Sequence, residues 1–241
     1  MSARILAGPH AVEEALRAGS PLRYLAMERG RRDHRVHALA VAARAAGVEV
    51  RWEAAAALDR LAGGLRHQGV LAVAEAKATL ALEDLLQAAP RRLLVAADGI
   101  EDPQNLGALL RAAGGAGVDG LLLPSRRAAG LTAAVERVSA GALEHVRVAR
   151  VGNLAQALER CRAAGWWIVG LDAAAPTLLW QFDLRPATVV VVGSEGRGLH
   201  ALIRAKCDAL VRIPLAAGVA SLNAAMAAGI ALFEVVRQRQ A

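Results

Sequence analysis

The chain has 241 residues, 55% hydrophobic and 21% charged, with a formal net charge of +7 at neutral pH. Such a length and apolar content suit one medium and one smaller domain, each with a real core, and exclude a disordered chain. The positive charge fits a polyanionic partner, although solvated arginines would give the same balance.

Along the chain, residues 1–10 carry too short an apolar run for a signal peptide, and no segment approaches the length of a membrane span, so a cytoplasmic location is expected. Residues 1–76 alternate two patterns: helical over 11–18 and 36–46, extended over 22–27, 48–52 and 69–74. They read as a small α/β domain. Arg29, Arg31, Arg32 and Arg35 cluster within it, either as phosphate contacts or as solvated surface. Residues 77–90, with Leu80, Leu82, Leu85, Leu86 and Pro90, suit a linker with a short helix. Beyond residue 91, strands are expected over 93–97, 120–123, 146–149, 167–171, 188–192 and 209–213, separated by helices, which implies an α/β domain with a mostly parallel sheet. Cys161 and Cys207 have no His or Cys neighbour at metal-ligand spacing and read as helix-buried thiols, so no metal is expected.

Three segments carry chemistry. In Val189-Val190-Val191-Val192-Gly193-Ser194-Glu195-Gly196-Arg197-Gly198, a strand suited to burial on both faces runs into a glycine loop with one carboxylate. The loop reads G-x-x-G-x-G, unlike the dinucleotide or P-loop patterns, and is either a tight turn or the wall of a small-molecule pocket. The second segment runs from Asp98 to Arg111; Asp102-Pro103 marks a helix start, and Asn105 and Arg111 fall about 120° from sharing one face. The third, Val211 to Asn223, leads through a loop holding Ile213, Leu215, Ala217, Gly218, Ser221 and Leu222 into an alanine-rich helix, for which Ser221 or Asn223 would serve as cap. Polar groups at a helix start also bind ligands, because its N–H groups lack partners.

In order and spacing the three segments resemble the motifs of SPOUT-class RNA methyltransferases, specifically the TrmH-like ribose 2′-O-methyltransferases, and the resemblance spans essentially the whole chain. It implies a C-terminal SPOUT domain with a deep trefoil knot over residues 91–241. It also implies that residues 1–76 are a substrate RNA-binding domain similar to a ribosomal-protein fold, where His67 and Gln68 either touch RNA or stabilise a turn. The implied cofactor is S-adenosyl-L-methionine, with Gly193, Ser194, Glu195, Gly198, Ile213, Leu215, Ser221 and Leu222 around it. The implied acceptor is a ribose 2′-hydroxyl, the group that distinguishes RNA from DNA.

The resemblance places Arg111 beside that acceptor, with Asn105, Glu195, Ser221 and Asn223 completing the catalytic set. Electrostatic activation suits an arginine better than proton abstraction, since its guanidinium stays protonated. Where the third motif often continues with Val-Ser, this chain has Ala224-Ala225, so no serine there is available for catalysis. The family also implies a homodimer that completes each site across a two-fold interface. The whole-chain match looks most like the RlmB-like group, which methylates a guanosine ribose in the peptidyl-transferase region of 23S rRNA, with no DNA or membrane partner. A transfer-RNA ribose methyltransferase, or a non-catalytic RNA-binding protein on the same fold, is the alternative.

Overall fold

Period-two alternation builds the first sheet of the computed structural model, which describes residues 3–31, 33–216 and 219–240. Arg32, Ala217 and Gly218, named above, lie outside the described residues. Strands β1 (Ala3–Ala7), β2 (Leu22–Glu28), β3 (Glu49–Glu53) and β4 (Val70–Glu75) pair in the order β1-β4-β2-β3. β4 is antiparallel to both neighbours, and β2 runs parallel to β3. Leu25, Met27, Val70 and Ala72 pack into one core with α1 (Pro9–Arg17) and α2 (His34–Ala45). Ala26 and Leu71, one residue out of phase, pack instead with Leu58 and Ala62 of α3 (Ala55–Ala62).

His67 belongs to a turn. Its Nδ1 accepts the Gly69 backbone N–H at 3.1 Å, and its Nε2 meets Asp59 Oδ1 at 3.0 Å, so both ring nitrogens have partners inside the protein. The clustered arginines are also engaged: Arg29 donates to the Trp52 carbonyl, Arg31 to Glu28 and Arg35 to Glu13.

The larger sheet is wholly parallel. α4 (Leu82–Gln87) precedes β5 (Leu93–Asp98), α5 (Pro103–Gly115) and β6 (Gly120–Pro124). After α6 (Ala133–Ser139) and a 3₁₀ turn (Ala142–Glu144) come β7 (Arg147–Val151), α7 (Leu154–Ala163), β8 (Trp167–Leu171), β9 (Thr177–Leu178) and a second 3₁₀ turn (Leu179–Gln181). The chain closes with β10 (Thr188–Gly193), α8 (Ala201–Lys206), β11 (Ala209–Arg212) and α9 (Ala224–Gln240). The strand order is β7-β6-β5-β10-β8-β11-β9, every pair parallel. β10, late in the chain, is thus inserted between two earlier strands. Its four valines are at most 2% exposed, each stabilising the sheet by about 1.5–3 kcal/mol relative to exposure. Asp102 caps α5 by accepting from the Gln104 N–H at 3.0 Å, with Pro103 in the first turn.

Contacts divide the described residues into two compact units: residues 3–77 with Leu131–His145, and Ala78–Gly130 with residues 146–240. This departs from the expected boundaries in two ways. The segment read as a linker, 77–90, instead supplies Leu82 and Leu85 to the second unit's core beside Leu94 and Ala149. Residues 131–145, expected in the C-terminal domain, belong to the first unit. Their Glu136 and Glu144 accept from the Arg4 guanidinium of β1 at 2.6 and 2.5 Å, and Ser20 also donates to Glu144.

Burial pushes the Glu136 carboxyl up; it pushes Glu144 up too, but there the hydrogen bonds from Arg4 and Ser20, with the charges of Arg4 and Lys77, together outweigh it and hold the carboxyl low. Arg4→Ala removes the guanidinium bonded to both acids, leaving the charge of Lys77 alone near them among the described residues, and is expected to lower the unfolding free energy by about 3 kcal/mol, read by urea denaturation; an unchanged midpoint would discount the cluster.

Cys161 is buried on α7, and Cys207 is half-buried just past the end of α8 rather than within a helix. Burial pushes both thiols up to about 12, which leaves them inert near neutral pH.

Candidate active site

Parallel strands place their following loops at one edge of the sheet, where ligands of open α/β sheets bind. β5 and β10 end in register there, Gly193 opposite Asp98. Beyond Gly193 the chain folds back, with Ser194 and Gly198 exchanging backbone hydrogen bonds of 3.1 and 2.9 Å. Gly196 and Gly198 take φ of +80° and +67°, which side-chain-bearing residues rarely adopt. Gly193 has a different reason to be glycine: a Cβ there would lie 2.1 Å from the Gly198 carbonyl carbon.

This loop walls a cavity of about 410 Å³. Gly193, Ser194 and Gly198 form one side, and Ile213, Leu215, Ser221 and Leu222, from the segment after β11, form another. The third side, 171–174 after β8, was not expected from sequence. It is held by Arg212, which donates to the Ala175 and Pro176 carbonyls at 2.7 and 2.6 Å, and by Arg204, paired with Asp172 at 2.8 Å. Of the residues expected around a cofactor, only Glu195 is not on these walls.

Glu195 lines a second cavity, of about 430 Å³, with Asn105; Ser194, Arg197 and Ala224 line both spaces, so the two adjoin. Three of the expected catalytic residues meet in a polar cluster. Asn105 and Asn223 donate their amides to Glu195 Oε2 at 3.0 and 3.3 Å, and Asn223 also donates to Asn105 Oδ1 at 2.7 Å. Glu195 Oε1 has no hydrogen-bond partner among the described residues. Asn223, rather than Ser221, caps α9: its Oδ1 accepts from the Ala225 and Met226 N–H groups at 3.0 and 3.3 Å.

Two expected catalytic residues stand apart from that cluster. Ser221 lies on the wall of the first cavity without a hydrogen bond among the described residues. Arg111 is exposed on α5, lines neither cavity and has no ion pair among the described residues. The angular offset along the helix accounts for this: Asn105 turns toward Glu195, and Arg111 turns away from it.

The arrangement offers a roomy, mostly apolar pocket of a size usual for small molecules, next to a polar recess with a carboxylate held by two amides. Residues 92–233 match the family described as SpoU rRNA Methylase, and residues 5–80 match RNA 2′-O ribose methyltransferase substrate binding. Over 243 aligned residues, covering 99% of both chains, the protein is 42% identical to the 23S rRNA (guanosine-2′-O-)-methyltransferase RlmB of Bordetella pertussis. Among solved structures it is similar to the SpoU methyltransferase AviRb of Streptomyces viridochromogenes in complex with AdoMet, with a TM-score of 0.82 and 30% identity over 98% of this chain and 90% of that one. An AdoMet-bound rRNA methyltransferase from Sinorhizobium meliloti also gives a TM-score of 0.82, at 27% identity over 98% of this chain and 87% of that one.

Proposed function

Because the chain belongs to the SpoU rRNA methylase family, we propose that it is an S-adenosyl-L-methionine-dependent RNA methyltransferase acting on the ribose 2′-hydroxyl of a guanosine in 23S rRNA. The observation that carries this reading is the pairing of the loop-walled cavity with the Asn105–Glu195–Asn223 cluster beside it.

The first cavity fits the cofactor. Its volume suits a ligand of that size, and Gly193 keeps the loop backbone close enough to line it, where a side chain would collide with Gly198. Gly193, Ser194, Gly198, Ile213, Leu215, Ser221 and Leu222 would hold it. When bound, the cofactor supplies a methyl group on a sulfonium centre, open to in-line attack. The chain's own residues orient the acceptor: Glu195, fixed by two amides, offers a free oxygen to the ribose, and Asn223 ties that carboxylate to the start of α9. Transfer is bimolecular, so fixing both reactants in line supplies much of the rate enhancement.

Arg111 acts in this scheme from a second copy of the chain. Two observations support a homodimer: Arg111 lies outside its own chain's cavities, and α9 leaves Met226 and Phe233, seven residues apart on one face, more than half exposed. In the first unit, Arg66 and Arg137 border a cavity of about 250 Å³ with His10 and Gln68 and have no ion pair among the described residues, which suits RNA phosphate contacts. No described helix is long and apolar enough to cross a membrane, and the work is assigned to the cytoplasm, where ribosomal RNA is assembled.

The test is transfer of labelled methyl groups to ribosomal and transfer RNA from cells lacking this protein, followed by mapping of the modified nucleotide. Label on a 23S guanosine ribose is the expected result. Label confined to transfer RNA would overturn the substrate, and no label on any RNA would overturn the enzyme reading.

A further inference from the structure

On the wall of the second cavity lies an ionisable side chain with no part in the cluster above. His200, at the start of α8, is held by Asp98, itself only 6% exposed at the end of β5. Both carboxylate oxygens face it: Oδ2 accepts the His200 backbone N–H at 2.7 Å, and Oδ1 lies 2.9 Å from Nδ1. A carboxylate only accepts, so Nδ1 carries a proton, and in the neutral ring Nε2 presents its lone pair. Nε2 has no hydrogen-bond partner among the described residues, and the side chain is 42% exposed.

The chain makes room for this ring. Gly99 takes φ +71°, and a Cβ on it would lie 2.8 Å from His200 Cε1. Besides Asp98, the charged groups around the recess are Glu101 and Asp102 before α5, and Glu195 and Arg197 after β10. Carboxylates are weak bases and a guanidinium is already protonated, whereas a neutral imidazole offers a basic ring nitrogen. A ribose hydroxyl is a poor nucleophile until its proton has somewhere to go.

We propose that His200 accepts that proton, with Asp98 as the residue that positions it. The proposal rests on the methyltransferase reading and assigns a step which that reading leaves open. As the ribose oxygen bonds to the methyl carbon, the methyl–sulfur bond breaks and its electron pair stays on sulfur. The hydroxyl proton passes to Nε2 and from the solvent-open ring to water. A Ser-His-Asp triad uses an aspartate and a histidine in the same relation.

The test compares wild type with His200→Ala and His200→Gln. Turnover is expected to fall about 100-fold or more in both, with cofactor affinity by calorimetry within about twofold of wild type. Both variants change the pH dependence of turnover seen in wild type, and added imidazole restores part of the activity of His200→Ala. Independently of turnover, imidazole nitrogen shifts in the resting protein show the Nδ1–H tautomer, and Asp98→Asn weakens that preference.

Variants within about threefold of wild-type turnover, or an unchanged pH profile, overturn the proposal while leaving the methyltransferase reading intact. A resting Nε2–H tautomer overturns it as well. A wild-type chain that binds the cofactor but methylates no RNA overturns both. Should His200→Ala fail to fold, His200→Gln, closer in volume and polarity, decides the comparison.

Discussion

Arg111→Ala is expected to reduce methyl transfer by about 10²–10³-fold or more, while melting temperature and cofactor affinity stay at wild-type values. The insensitivity of the fold follows from position: the side chain is exposed on α5 and makes no ion pair among the described residues, so its loss opens no cavity and strands no partner. The loss of activity follows from the placement proposed for it: beside a reacting hydroxyl, a fixed cation would stabilise developing negative charge without a proton transfer of its own. Single-turnover kinetics with saturating RNA separates this effect from weakened RNA binding. Turnover within about threefold of wild type would remove Arg111 from the reaction. Mixing supplies a further arm. In the proposed homodimer, exchange of Arg111→Ala chains with chains crippled in the cofactor loop would give each mixed pair one site with an intact loop and an arginine from its neighbour, so activity is expected to reappear. No recovery on mixing would place Arg111 in its own chain's site.

Gly193→Ala is expected to weaken cofactor binding by about 100-fold, equivalent to about 2.7 kcal/mol, and to abolish turnover at ordinary cofactor concentrations. A Cβ at Gly193 would meet the carbonyl carbon and oxygen of Gly198 at 2.1 and 2.3 Å and the Leu199 nitrogen at 2.4 Å. All three are backbone atoms, so no side chain can swing aside, and the whole loop must move off the wall of the cavity. Overpacking of this kind also costs about 1–3 kcal/mol of stability, which a thermal melt reads. Gly196→Ala is the matched control. Nothing lies within 4 Å of a Cβ there, and only its φ of +80° resists the change, so the loss should be much smaller. Equal effects in the two variants would mean that loop strain, rather than the collision, governs binding.

The parts of this site that local pattern specifies were legible in the chain. Four consecutive valines suit a strand covered on both faces, and the glycines from Gly193 to Gly198 suit a sharp turn after it. The Asp102-Pro103 start of α5 was equally readable, because a cap acts through neighbouring residues. What escaped depends on contacts between distant segments. Strand β1 offers only five residues, and its pairing with β4 spans most of the first unit. The wall at 171–174 carries no motif and takes its shape from Arg212 and Arg204, over thirty residues away. Asp98 and His200 are separated by 102 positions, and only the register of β5 beside β10 brings them together. The choice between Ser221 and Asn223 as helix cap was likewise open until the backbone showed which side chain reached the free N–H groups.

The residence of Leu131–His145 in the first unit bears on how the protein is made. A nascent chain that has reached Lys77 holds all four strands of the smaller sheet, yet Arg4 still lacks the two acids that neutralise it. Those arrive only after α4, β5, α5 and β6 have been translated, so completion of the amino-terminal unit waits for sequence on the far side of the Asp98–Arg111 segment. Cutting the gene at the apparent boundary therefore yields two polypeptides, each missing or carrying a piece of the other, and recombination that treats residues 1–77 as a transferable module is disfavoured from the outset.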